Sequence, residues 1–157
     1  MLYDISAEIL ETEAFLDLIE QKNRDNADLT DADIAARDAA WRAGDAEILD
    51  PVLDNILSKR LAEIAEAAGG QFAEIVVMDD KGRNVAVSTA TDDYWQGDED
   101  KFTKTFALEG DDTYYSGDVF FDEFRGILAQ QLAKPIKRRG RRIGALSFEV
   151  NIEYVAN

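Results

Sequence analysis

Ile75-Val76-Val77-Met78-Asp79-Asp80-Lys81-Gly82-Arg83-Asn84-Val85-Ala86-Val87-Ser88 carries the strongest strand signal in the chain. An unbroken apolar run enters the polar turn Asp79-Asp80-Lys81-Gly82, and a segment with Val85 and Val87 on one face leaves it. A Gly placed where φ is positive, between a buried-type strand and a period-two return, predicts a β-hairpin with strands at 72–78 and 84–90. Towards the C-terminus, residues 113–121, 126–136 and 142–152 read as three more strands, the last two joined through Arg138-Arg139-Gly140-Arg141. The second half of the chain therefore predicts a five-stranded antiparallel sheet. Between its second and third strands, residues 91–112 form an excursion with a short helix at 98–107, on which Phe102 and Phe106 share a face.

Upstream of Gly69-Gly70 the apolar period changes to three and four. Ile5, Ile9, Leu16 and Ile19, then Leu49, Leu53, Ile56, Leu57, Leu61 and Ile64, mark helices. Thr30, followed by Asp31 and Asp33, is an N-cap with acids at the positive end of the helix dipole. A helix over 46–68, with Pro51 near its start, would be about 34 Å long at roughly 1.5 Å per residue. The 4-3-4-3 spacing of Ile5, Ile9, Thr12, Leu16 and Ile19 suits a short coiled-coil seam for a homodimer, or equally a helix packed on its own domain. The expected architecture is α+β, with long N-terminal helices on the sheet. Residues 1–45 form a helical connector or dimerisation segment, and 46–157 the domain proper.

The 157 residues include 17 Lys plus Arg against 33 Asp plus Glu, a net charge of −16. Phosphate backbones are repelled by such a chain, so nucleic-acid binding is excluded as a main function. A 46% hydrophobic fraction is enough for a core. With no His and no Cys, Ser-His-Asp triads, thiol nucleophiles, imidazole ligands, Cys-ligated zinc and iron–sulfur clusters are impossible. No cofactor and no enzymatic activity are expected. No apolar run reaches the roughly 18 residues of a membrane span, and the first residues lack the pattern of a signal peptide.

The hairpin stretch 75–88, the closing Lys134-Pro135-Ile136 to Ile143-Gly144-Ala145-Leu146-Ser147, and the run Asp93-Tyr94-Trp95-Gln96-Gly97-Asp98-Glu99 together resemble the PAS-like extracytoplasmic sensor modules called Cache or PDC domains. The resemblance covers about residues 46–155. It implies a bacterial signal-input domain, usually periplasmic, that binds a small ligand and signals through helices leading to a membrane anchor. Some members are stand-alone exported proteins. With no membrane helix at either end, the anchor is expected outside these residues, or the protein is exported and soluble.

Tyr94, Trp95 and Gln96 sit in the excursion, where a rigid sheet presents loop residues to a ligand. The Tyr94 phenol and Trp95 indole suit an amino acid, a small carboxylate or an amine. Trp95 could instead plug the end of the core. Lys104 on the short helix and Arg125 before the fourth strand could neutralise a ligand carboxylate, or simply pair with surface acids. Tyr115 and Asp118 have opposite strand parity and face one pocket only if Gly117 is a bulge. Gln131 and Ser147 are polar residues within strands. The acid runs at Asp92-Asp93, Asp98-Glu99-Asp100 and Asp111-Asp112 read as solvated surface, with a calcium site or a hydrolase as lesser alternatives. A different class of function, a protein-interaction module holding no small ligand, fits the same composition.

Overall fold

Alternation along the strands divides the apolar residues between two faces of one sheet. The computed structural model describes residues 1–107 and 114–155; Asp111, Asp112, Thr113 and the Phe106 side chain lie outside that description. The expected hairpin is β1 (Phe72–Asp79) with β2 (Asn84–Val87), and β3 (Tyr115–Asp122), β4 (Ile127–Arg138) and β5 (Arg141–Asn151) complete the sheet. All pairings are antiparallel, in the order β2-β1-β5-β4-β3. The chain's last strand is thus the sheet's central one, and β3 is an edge.

Seven helices accompany the sheet among the described residues: α1 (Leu2–Glu11), α2 (Glu13–Asp25), α3 (Asp31–Arg42), α4 (Ala46–Leu53), α5 (Ile56–Ala67), α6 (Asp100–Ala107) and α7 (Ile152–Val155). Ile75 and Val77 of β1, with Leu146 and Phe148 of β5, bury against Ile9, Leu16, Ile19, Leu57 and Leu61 of α1, α2 and α5. Val76, Met78 and Ala145 point the other way and pack with Trp41 of α3, Val52 of α4 and Tyr94. Helices cover parts of both faces, where the sequence suggested one face only.

Two expected long helices are each broken in two. At Thr12 the backbone turns extended (φ −82°, ψ 108°), so the 4-3-4-3 series bends. Ile9, Leu16 and Ile19 then meet the chain's own sheet, the second of the two readings of that spacing. The helix expected over 46–68 stops after Leu53, because Asn55 acts as a cap. Its Oδ1 accepts from the Ser58 N–H, and its Nδ2 donates to the carbonyls of Pro51, Val52 and Val85. Pro51 therefore lies in the last turn of α4, not near the start of a long helix. The Thr30 cap is as expected, closed into a capping box by Asp33.

The basic tip between β4 and β5 turns through Arg139 (φ 52°) and Gly140 (φ 74°), the two positive angles of a type I′ hairpin. Arg138 reaches back to Glu13, Asp17 and Glu20, so the acidic helix it meets is this chain's own α2. At the opposite hairpin, Arg83 is 2% exposed and Asp79 fully buried. The Arg83 guanidinium donates to Asp79 (2.6 Å), to the Asn26 carbonyl closing α2 (2.7 Å) and to Asp80 (3.3 Å). Arg83 also forms an isolated bridge with Trp95, while Gln96 N–H donates to the Gly82 carbonyl at 2.7 Å. The 94–97 segment is thereby laid along the β1–β2 turn.

Gly82 has φ +79°, and a Cβ there would overlap the backbone of Gly97. Gly82→Ala should therefore cost about 2 kcal/mol or more, from the left-handed backbone and the lost close approach together. Urea denaturation followed by circular dichroism measures it, with Gly140→Ala, which meets no neighbour, as the milder comparison.

Candidate functional site

On the face opposite α1, α2 and α5, the sheet and the 91–101 segment border a half-open cavity of about 230 Å³. Its floor follows from register. Glu74 of β1 pairs with Glu149 of β5, and Glu149 pairs with Gln131 of β4, so three polar side chains stand in one row across adjacent strands. Phe120 and Asp122 of β3 extend the wall, and Arg125 folds back from the β3–β4 turn. Its guanidinium lies 3.0 Å from Asp122, 3.2 Å from Glu74 and 3.7 Å from Glu149.

The roof is the loop after β2 and the start of α6: Thr91, Asp92, Asp93, Gln96, Glu99 and Lys101. It is held from three sides. Asp38 of α3 accepts from both the Tyr94 and Trp95 amides with one oxygen (2.9 and 3.1 Å), and the Trp41 indole donates to the Thr91 carbonyl at 2.7 Å. Asn84 of β2 donates to Thr91 Oγ1 and to the Asp93 carbonyl. Lys101, buried at its stem, pairs with Glu99 at 3.2 Å.

The structure distributes the six expected ligand contacts over several places. Gln96, 1% exposed, lines the acidic cavity. Tyr94 is 3% exposed, with its ring tilted against Trp41 at 6.0 Å, and lines a separate cavity of about 290 Å³ beside Asn26 and Arg37. Trp95 donates to the Lys81 carbonyl at 2.9 Å, is half-buried against the Trp41–Tyr94 cluster, and lines a small separate cavity by α3. Lys104, Tyr115 and Asp118 come together in a groove adjoining the acidic cavity, with which it shares Phe120 and Gln131. There Lys104 pairs with Asp100 at 2.7 Å and stands 5.7 Å from the Tyr115 ring centre. The pairing register slips between Ser116 and Val119, the bulge that lets Tyr115 and Asp118 line one groove. Asp93 and Glu99, expected in solvated runs, face the cavity instead.

Sequence reading missed Glu74 and Glu149, the floor's main charges. The available signal was an acid flanked by apolar residues within each strand, Glu74 between Ala73 and Ile75 and Glu149 between Phe148 and Val150. Burial pushes Glu149 up to about 7, reinforced by Glu74, and it pushes Glu74 above its ordinary range despite Lys101 and Arg125. Asp93 is raised to about 6 by burial, then by Glu99 and Asp38. Two buried acceptors in the lining have no hydrogen-bond donor, Glu149 Oε1 and Gln96 Oε1; at 3.7 Å the Arg125 contact with Glu149 is an ion pair without a hydrogen bond.

No family model matches the sequence, and no curated protein matches it either. Solved structures match the fold. The domain of a sensory box/GGDEF family protein from Vibrio parahaemolyticus superimposes with a TM-score of 0.61 at 13% identity, over 98% of this chain and 53% of that one. The ligand-binding domain of the Campylobacter jejuni chemoreceptor Tlp3, in complex with 4-methylisoleucine, gives 0.51 at 14% identity, over 87% and 57%. The sensor domain of the V. cholerae histidine kinase DctB gives 0.50 at 12% identity, over 98% and 56%. The fold is that of Cache/PDC-type sensor domains. This chain spans a little over half the length of each of these sensor-domain structures. No helix among its described residues is long and apolar enough to cross a membrane.

A carboxyl raised from 4.5 to about 7 on folding binds its proton more tightly in the native state. Its contribution to stability is therefore full below pH 4.5 and lost as pH climbs through 7. Glu149→Gln should make the ligand-free protein more stable than wild type at pH 8, by on the order of 1–3 kcal/mol, with the difference vanishing near pH 4. Thermal melts across that range measure it; a constant difference would mean that Glu149 does not carry this charge penalty.

Proposed function

We propose that this chain is a signal-input domain that binds a small ligand in the cavity between Glu74, Glu149 and Gln96. The observation that carries the reading is a pair of donor-less buried acceptors, Gln96 Oε1 and Glu149 Oε1, in the wall of a half-open cavity on the sheet. Such groups cost free energy when left unmade and are met when a ligand supplies donors. The shared fold with chemoreceptor and histidine kinase sensor domains, among them Tlp3 with amino-acid ligands, supports the same assignment. The adjoining groove with Lys104, Tyr115 and Asp118 is the second compartment of this site, and the loop carrying Tyr94 and Trp95 is its lid.

In this reading the chain is extracytoplasmic and non-enzymatic; the residues lining the cavity fall within 46–157, and the helices of 1–45, which pack on the sheet and hold the roof through Asp38 and Trp41, also lead to the signalling partner. A homodimer through the N-terminal helices belongs to the same proposal. With Ile9, Leu16 and Ile19 packed inside the chain, its contact would use the outer faces of α1 and α2, among them Tyr3 at 65% exposure. The alternative, an interaction module without a small ligand, draws on Val119, Phe121 and Phe124 exposed at the edge of β3.

The test is a thermal-shift screen of amino acids, amines and small carboxylates, followed by calorimetry on the hits. A ligand at 100 times its Kd should stabilise the native state by about 2.7 kcal/mol. Gln96→Ala should weaken its affinity about tenfold or more, while Lys59→Ala, on the exposed side of α5, leaves it unchanged. A ligand whose affinity ignores Gln96→Ala would place the site elsewhere, and a screen without hits would favour the interaction module.

A further inference from the structure

We infer that the cavity selects a small organic polycation, of which a short diamine is the simplest form, over zwitterions and anions. The inference rests on the cavity being the ligand site proposed above, and it names the ligand's chemistry. Among the described residues the lining holds six carboxylates, those of Glu74, Asp92, Asp93, Glu99, Asp122 and Glu149, against the two cations Lys101 and Arg125.

Both cations are already engaged. Arg125 lies within ion-pair distance of Asp122, Glu74 and Glu149, and Lys101 holds Glu99. Among the described residues a ligand carboxylate would find no free guanidinium or ammonium in this wall, and in the adjoining compartment Lys104 is held by Asp100 at 2.7 Å; it would enter beside like charges, which is how a site rejects the wrong partner. An α-amino acid satisfies the acceptors with its ammonium but leaves its carboxylate opposed.

The free groups are all acceptors. Gln96 and Glu149 are each more than nine-tenths buried, and neither Gln96 Oε1 on the roof nor Glu149 Oε1 on the floor has a hydrogen-bond donor, the Arg125 guanidinium standing 3.7 Å from the latter. An ammonium carries three donors and no acceptor, so one at each end of a short chain fits both. About 230 Å³ corresponds to roughly eight water-sized units, the scale of a diamine with about four or five carbons. Phe120 supplies an aromatic wall for the methylenes or for a cation at its face. Bare metal ions are disfavoured, since among the described residues no group of three or more acidic side chains is placed to hold one.

The experiment is calorimetry on the full chain at pH 8 with putrescine, butylamine, γ-aminobutyrate, succinate and calcium chloride as separate probes. Putrescine should bind more tightly than butylamine and at least about tenfold more tightly than γ-aminobutyrate, with no heat from succinate. Glu149→Gln and, separately, Glu74→Gln should each weaken putrescine about tenfold or more, while melting cooperatively as folded proteins. Failure of putrescine to bind overturns the inference, as does equal or tighter binding of γ-aminobutyrate, succinate or calcium. If one of those binds instead and Gln96→Ala weakens it, the sensing cavity stands and only the polycation assignment falls. If putrescine binds but none of the three variants affects it, the cavity itself is the wrong place.

Discussion

The buried pairing of Arg83 with Asp79 is the constraint on which the remaining architecture hangs. Removing two charges from water is expensive, and the attraction between them rarely does more than offset that expense. Burial still pushes the Asp79 carboxyl upward, against the opposing pull of Arg83. What the pair supplies is uniqueness of arrangement. Asp79 accepts from the Lys81 and Arg83 amides, which shapes the turn, and the guanidinium reaches the carbonyl of Asn26, the residue capping α2, and the neighbouring Asp80. Asn23 adds a second tie, donating to the Ile143 carbonyl and accepting from the Asp80 amide. The β1–β2 turn, the end of α2 and the β5 hairpin are thus registered to one another by polar groups that tolerate no slippage.

That registration places the roof. Because the Gln96 amide donates to the Gly82 carbonyl and the Asn84 amide to the Tyr94 carbonyl, on either side of the Arg83–Trp95 bridge, the loop descends beside the hairpin with a fixed alternation. Tyr94 goes into the apolar cluster with Trp41, Trp95 packs half-buried at that cluster's margin by α3, and Gln96 goes in over the charged row of the sheet. Below it, like charges stand directly opposite on β1 and β5, an arrangement that weakens a sheet and that sequences usually avoid. Arg125 answers part of that repulsion.

Much of this was legible in the residue pattern. Period-two apolar runs divided by Gly-bearing turns marked all five strands, and Thr30 with Asp33 marked the start of α3. The helix breaks were not legible, because Asn55 reads as an ordinary interior residue until the Val85 carbonyl comes within its reach. Thr12 likewise fits a heptad as well as it fits a bend. At the site, the Tyr94-Trp95-Gln96 loop was visible as a place, but its division into core, core margin and cavity is decided by pairing with Arg83, eleven or more residues away. Glu74 and Glu149 were invisible as a pair since β1 and β5 meet only through tertiary register. The Gly117 bulge, by contrast, could be posed as a condition from parity alone.

One carboxylate oxygen of Asp38 holds two successive amides of the roof, while Trp41, one turn along α3, holds a carbonyl at the start of the same loop. Loop and helix are therefore riveted into one rigid plate with the cavity under one edge and the solvent-facing side of α3 on the other. An occupant that lifts or lowers this edge must tilt α3 as a lever, turning a displacement at the sheet into a reorientation of a helix on the outer surface.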